Sequence, residues 1–363
     1  MPINQSWRRK LMQKKMYRYG IIGTGRKHRS EGSTGFGMAH EHIRGYQRTE
    51  RVVLSAIADI DPEAANLFAA EYSPQKVYSD YKEMLAKENL DIVSVTTWPH
   101  LHSEMVIEAA NAGVRAIHCE KPMAVTWGEC KRMYAVCKEK GVNLIFDHQR
   151  RYLEPFQRAR ELIREGAIGD LVRLEAQTGD MFDWGTHWLN MMFFFNDEVP
   201  ARWVLAQIES HTGRRIYGAP AEDQAICHFQ FENGVRGLML TGADSDIGCA
   251  IRAIGSNGML EILWGDPSLR YIRRGDANWI VVKTSEGIHG GEAIPRAAAD
   301  MIRSMDIGGS TILSADSVIH STEIIFACYE SSRRRGRVNL PLDIDDSPIQ
   351  DMLDRKLIGP DRK

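Results

Sequence analysis

No apolar run in this chain reaches the about 18 consecutive residues that a membrane-spanning helix requires, so a helical membrane span is excluded at the outset. An excess of charge of one sign is lacking too, since 46 Lys and Arg nearly cancel 48 Asp and Glu. The net charge of -2 at pH 7 leaves no electrostatic footprint for nucleic acid or an anionic membrane. Cysteines are few and scattered. The six of them (Cys119, Cys130, Cys137, Cys227, Cys249, Cys328) form no C-x-x-C pair and no Cys/His metal spacing. There is no H-E-x-x-H pair either. These gaps predict no metal centre, and thiols kept reduced in the cytoplasm. Internal repeats and low-complexity segments are missing too. Residues Met1 to Met16 are basic and polar and lack the apolar stretch of a secretory signal. They read as an arm, free or docked on another subunit.

What is present begins with a glycine-rich turn. Tyr17 to Ile22 reads as a first strand, followed by Gly23-Thr24-Gly25. A dinucleotide fingerprint has the form G-x-G-x-x-G. Here Arg26 to Phe36 intervene, and Gly37 takes the place of the third glycine after an insertion of about nine residues. The turn would place a pyrophosphate on a helix N-terminus, with the insertion as extra wall beside it.

The length of 363 residues suggests two domains. From 17 to 147 strand-like and helix-like segments alternate, which predicts a parallel sheet with helices on both faces. The helices expected here include Pro62 to Tyr72, Asp80 to Ala86, His102 to Ala112 and Thr126 to Lys140. From 148 to 363 β-type runs dominate, with hairpin signals at Asn233-Gly234 and Asn257-Gly258. This predicts an α+β domain, one sheet face on helices and the other free to meet another subunit.

Three places carry candidate chemistry. Asp59 closes the second strand, 34 residues after Gly25, where a carboxylate can accept both ribose hydroxyls and favour NAD over NADP. The competing reading is a helix cap, a role open to Asp61 as well. Lys121, in Glu120-Lys121-Pro122, follows a strand at the ligand-binding edge. It is either a catalytic ammonium or an ordinary surface lysine. Asp183 and His187 are four apart, with Gly185 marking a helix start nearby. They could orient a hydroxyl and move its proton, or pack in an aromatic-rich core. His100 and His102 follow Trp98-Pro99 at a strand end, while His28, His40 and His42 flank the glycine turn. Arg333-Arg334-Arg335 reads as a solvated helix end.

In this order the pieces resemble the family of glucose-fructose oxidoreductase, inositol dehydrogenase and the rhizopine-catabolism oxidoreductases. The motifs are Gly20-Ile21-Ile22-Gly23-Thr24-Gly25, Ala58-Asp59-Ile60-Asp61-Pro62, Glu120-Lys121-Pro122, Gln149-Arg150-Arg151-Tyr152 and the Asp183-to-His187 spacing. The likeness runs from about residue 17 to 340 and implies a Rossmann domain followed by a domain with a large, open, mostly antiparallel sheet. That sheet would carry a homodimer or homotetramer. The resemblance also implies NAD-linked redox chemistry on a sugar, cyclitol or glycoside hydroxyl. It assigns catalysis to Lys121, His187 and Asp183. To the cofactor it assigns Gly23, Gly25, Gly37, Asp59, Ile60, Thr97, His102, Glu120 and Lys121. To the substrate it assigns Lys121, Arg151, Asp183, Trp184 and His187. Asn190 stands where the family commonly has a carboxylate. Two other readings share these residues: a redox-neutral glycosidase or lyase with tightly held NAD, and a non-catalytic nucleotide or sugar sensor.

Overall fold

The computed structural model describes residues 15–33 and 35–360, so the basic arm up to residue 14 lies outside the described residues. Six short strands form the first sheet: β1 (Tyr17–Ile22), β2 (Val52–Ala58), β3 (Lys76–Tyr78), β4 (Ile92–Val95), β5 (Ala116–Cys119) and β6 (Asn143–Phe146). All neighbours pair parallel, in the order β3-β2-β1-β4-β5-β6. The order reverses between β1 and β4, and such a reversal opens a crevice at the strand C-termini. Every residue of β4 and β5 is buried, as expected for strands covered on both faces.

The connecting helices are α1 (Met38–Gln47), α2 (Pro62–Tyr72), α3 (Tyr81–Lys87), α4 (Pro99–Asn111) and α5 (Trp127–Lys140). Asp61 caps α2 by accepting from the Glu63 amide at 2.9 Å. A Thr126–Glu129 capping box starts α5 and Gly141 ends it. The helix expected from His102 begins earlier, at Pro99. Trp98 is extended, as a residue before proline prefers, and Pro99 is preset for the first helical position.

The second sheet has nine strands: β7 (Leu171–Thr178), β8 (Ala201–Glu209), β11 (Gln224–Phe231), β12 (Arg236–Thr241), β13 (Ile251–Gly255), β14 (Gly258–Ile262), β15 (Leu269–Arg273), β16 (Ile280–Val281) and β17 (Val338–Asn339). A small ribbon of β9 (Arg215–Ile216) and β10 (Ala219–Pro220) stands apart from it. The order is β16-β15-β14-β13-β7-β12-β11-β8-β17, antiparallel except for β7 with β12. Both Asn-Gly steps are the turns expected, joining β11 to β12 and β13 to β14.

One face is covered by helices, above all α7 (Gly185–Phe195) and α9 (Ala315–Arg334), with α6 (Glu154–Arg164) beside α7. All of α7 is buried. The other face leaves Leu205 and Ile226 about half exposed. The first sheet's last strand ends at Phe146 and the second sheet's first begins at Leu171, but the later chain does not stay with the second sheet. Helix α8 (Ala293–Ile307) returns to the first, packing Ala297, Ala298, Met301 and Ile302 with Tyr19, Ile43 and Tyr46. Arg51 and Asp306 add a two-bonded ion pair, both contacts 2.8 Å. A short α10 (Pro348–Asp354) completes the described chain.

Candidate active site

Between the C-terminal ends of the first-sheet strands and the start of α7 lies a cleft of about 610 Å³. Its floor is the glycine turn. The Gly23 amide donates to the Ala58 carbonyl at 2.8 Å. Gly23 has φ +86° and a Cβ there would collide with Thr97. Gly37 sits at φ +63° as the residue before α1, where a Cβ would stand 2.7 Å from the Arg26 carbonyl. Neither position admits a side chain without strain. The inserted segment wraps outward. Arg26 pairs with Glu63 at 2.6 Å, Lys27 with Glu71 at 2.9 Å, and His28 stacks on Phe36 at 5.0 Å. Arg26, Gly35 and Phe36 all line the cleft, so the insertion does form one of its walls.

Asp59 ties this floor together. Its Oδ2 accepts from the Thr24 amide at 2.7 Å, the Thr24 hydroxyl at 2.7 Å and the Gly25 amide at 3.0 Å. Its Oδ1 accepts from the Asp61 amide at 2.9 Å. The cap of α2 is therefore Asp61, and Asp59 is left facing the turn. Ile60 stands at the rim, 90% exposed. Donors at a helix N-terminus, small residues in the floor and a carboxylate beside them suit a dinucleotide.

At the opposite end, 62 residues apart in sequence, Lys121 Nζ and Asp183 Oδ1 form a close ion pair, with both side chains largely buried. Lys121 follows β5. Asp183 precedes α7, its amide bound to Asp180 Oδ1 at 2.5 Å. Helix α7 starts only at Gly185, so Asp183 and His187 meet across a turn rather than along one helix face. His187 lines the same cleft, and its Nδ1 is enclosed without a partner. Burial, and then the nearby charges of Lys121 and Arg150, hold this imidazole well below its ordinary value. The imidazole is neutral at neutral pH. Glu120, Thr97 and Trp184 line the cleft.

Two assigned residues lie elsewhere. His102 is fully buried behind the cleft, with Nδ1 at 2.9 Å from the Pro122 carbonyl and Nε2 at 3.1 Å from that of Thr97. It braces two cleft segments without touching the opening. Arg151 points into the core. It donates to Glu198 at 2.6 Å, to Asn190 Oδ1 at 2.6 Å and to the Asn190 carbonyl at 2.7 Å. Asn190 thus serves Arg151 rather than the cleft. The cleft receives Arg150 instead. Residues Gln149–Tyr152 form one 3-10 turn, in which neighbours project about 120° apart. The arginine pair marked the place in the sequence, but only the turn decides which of the two faces the opening. Tyr217 and His289 also line the cleft and carried no sequence signal.

Behind Glu120 lies a buried polar cluster that the sequence did not reveal. His42 Nε2 is 3.1 Å from Glu120 Oε1, and its Nδ1 is 2.9 Å from the Ser94 hydroxyl. His118 Nε2 is 3.2 Å from Asp147 Oδ1, and the two imidazole rings lie 4.1 Å apart. Burial opposes charge on His42, yet Glu120 and Asp147 outweigh it and raise its pKa. Burial and the His42 charge push His118 far down. His42, His118 and Asp147 each offer a ligand atom within 4.8 Å of the others, a spacing a metal ion could also use.

Comparison with known proteins bears on this arrangement. Residues 17–148 match the model of a family described as "Oxidoreductase family, NAD-binding Rossmann fold", and residues 177–261 match the "GFO/IDH/MocA C-terminal domain". The chain is similar to inositol 2-dehydrogenase of Burkholderia multivorans, 32% identical over 41% of this chain and 42% of that protein. It is also similar to 2,7-anhydro-N-acetylneuraminate hydratase of Mediterraneibacter gnavus, 32% identical over 42% of this chain and 37% of that protein. The chain spans between 35% and 54% of the length of the first curated relatives it matches. A levoglucosan dehydrogenase solved with NADH and levoglucosan has the same fold, with TM-score 0.76 at 22% identity, covering 90% of this chain and all of that one.

Proposed function

The chain belongs to the Gfo/Idh/MocA family of NAD-binding oxidoreductases, and on that footing we propose that it oxidises a hydroxyl of a sugar, cyclitol or glycoside. One observation carries the reading: the Lys121 ammonium, paired with Asp183, and the neutral imidazole of His187 share a cleft with a glycine turn. The turn and the start of α1 would hold the pyrophosphate of NAD, Asp59 a ribose, and Glu120 with Thr97 the nicotinamide end. Once bound, NAD supplies the hydride acceptor. His187 takes the hydroxyl proton on Nε2 as the C–H bond gives up its hydride. Lys121 donates a hydrogen bond to the oxygen as negative charge develops there. Asp183 fixes the direction of the ammonium. Its partial burial spares Lys121 the competition of water. Lys121→Ala should lower turnover by about a hundredfold to ten-thousandfold while NADH binding, followed by fluorescence, stays within a few-fold. Unchanged turnover would remove Lys121 from the chemistry.

A second reading is a redox-neutral elimination or hydration in which NAD stays bound, the class of reaction named for the hydratase relative. The observation favouring it is a roof. Gly35 of the insertion lies against Trp98, and the Trp98 ring sits tilted against that of Tyr217, from the β9–β10 ribbon, at 5.2 Å. Such a cover would slow cofactor exchange. Stoichiometric release of NADH with an oxidised product supports the dehydrogenase. Product formation without free NADH supports the second reading.

A further inference from the structure

At the substrate end of the cleft one buried cation has no carboxylate in contact with it among the described residues. Two arginines are buried among the described residues, Arg150 and Arg151. Arg151 has Glu198 as its counter-ion. Arg150 has no ion-pair partner among the described residues. Its Nη1 donates to the Ile288 carbonyl at 2.6 Å and to His289 Nδ1 at 3.0 Å. Its Nε is enclosed with no acceptor. Its Nη2 is used by no protein acceptor among the described residues. The guanidinium sits 5.2 Å from the Trp184 ring and 5.3 Å from that of Trp188. Those rings offset part of its desolvation but are not counter-ions. Asp183 is taken by Lys121, and Asp147 acts on the guanidinium only from beyond ion-pair contact. His187 is neutral, so it brings neither charge.

A buried guanidinium left without a carboxylate is costly. A charged donor with spare N–H groups, facing a cleft, is matched by an anion brought in from outside. A neutral hydroxyl would satisfy one N–H and leave the charge. We propose that the substrate is an acid: a polyhydroxylated ring or chain whose carboxylate is received at Nη2 of Arg150 while a nearby hydroxyl faces Lys121 and His187. Trp184 stands between the two ends of that molecule, with its ring 6.5 Å from the His187 ring. The hydroxyl chemistry rests on the oxidoreductase reading, whereas recognition of the anion does not.

The test uses matched pairs of acid and neutral probe: galacturonate against galactose, glucuronate against glucose, gluconate against sorbitol. Binding to the full-length protein, with and without NADH, is followed by quenching of tryptophan fluorescence. At least one acid should bind about tenfold or more tighter than its neutral partner, as a charge-assisted bond predicts. Arg150→Gln should erase that preference and leave NADH affinity unaltered; Arg150→Lys should keep part of it. Equal affinity within every pair, no acid binding, or a preference that survives Arg150→Gln would overturn the proposal. So would glucose 6-phosphate binding tighter than glucuronate, which would put phosphate in place of carboxylate. The wild-type comparison decides alone should Arg150→Gln not fold. Absence of NADH binding would instead sink the oxidoreductase reading, because the acid preference is measured without cofactor too.

Discussion

Glu222 shows how a single side chain links burial to pH. It is fully buried. Its Oε1 accepts from the Met181 amide at 2.6 Å and the Thr241 hydroxyl at 2.9 Å, and its Oε2 from the Tyr329 hydroxyl at 2.7 Å. Burial, reinforced by the charge of Asp180, pushes its pKa from 4.5 up to about 7. The unfolded chain releases this proton near 4.5, while the folded protein keeps it until about 7. Stability therefore falls as pH rises through that window, by up to about 3 kcal/mol. In Glu222→Gln the amide oxygen can still accept the two bonds at Oε1, and the Tyr329 hydroxyl can turn to accept from the amide nitrogen. The variant should gain melting temperature over the wild type above about pH 7 and lose the advantage near 4.5. Parallel curves across that range would show that Glu222 does not titrate with folding. At this scale the sequence was readable where residue type and neighbours fixed the place. Lys121 after its strand, Asp59 after the glycines and the Asp183–His187 spacing all converge on the cleft. Adjacent Arg150 and Arg151 could not be separated, because their directions depend on a turn whose dihedral angles no residue type dictates.

Among elements, the glycine turn depends on more than its glycines. The Asp59 carboxylate gathers three donors from Thr24 and Gly25, so it shapes the floor that a dinucleotide would meet. Asp59→Ala should weaken NADH binding by at least about tenfold, since bonds to a charged acceptor are each worth about 1.5–3 kcal/mol. Hydrogen exchange at the Thr24 and Gly25 amides should quicken in the same variant. Unaltered affinity would confine Asp59 to the turn. The first strand lies where its sequence puts it: Tyr17–Ile22 matches the expected limits residue for residue. Strands of two or three residues, β3, β9, β10 and β17, left no periodicity to find. They exist because a neighbouring strand offers them bonds.

For the whole molecule, the uncovered sheet face raises the question of assembly. Leu205 and Ile226 lie on the neighbouring strands β8 and β11, 48% and 53% exposed. We expect two copies to associate through this face. Ile226→Lys should then shift sedimentation toward the monomer without changing the circular dichroism. A monomeric wild type would refute the association. The sequence announced both sheets through its switch from alternating strand and helix to serial hairpins. It gave no hint that α8 crosses back, since an amphipathic stripe tells that a helix face is buried and not against which partner. That crossing has a consequence for inheritance. Severing the polypeptide after residue 147 would strip Tyr19, Ile43 and Tyr46 of the helix that shelters them and would take away Asp306, the counter-ion of Arg51. The nucleotide-binding half is no portable cassette, and any recombination that moved it into another gene would have to carry along a stretch encoded some 150 codons downstream.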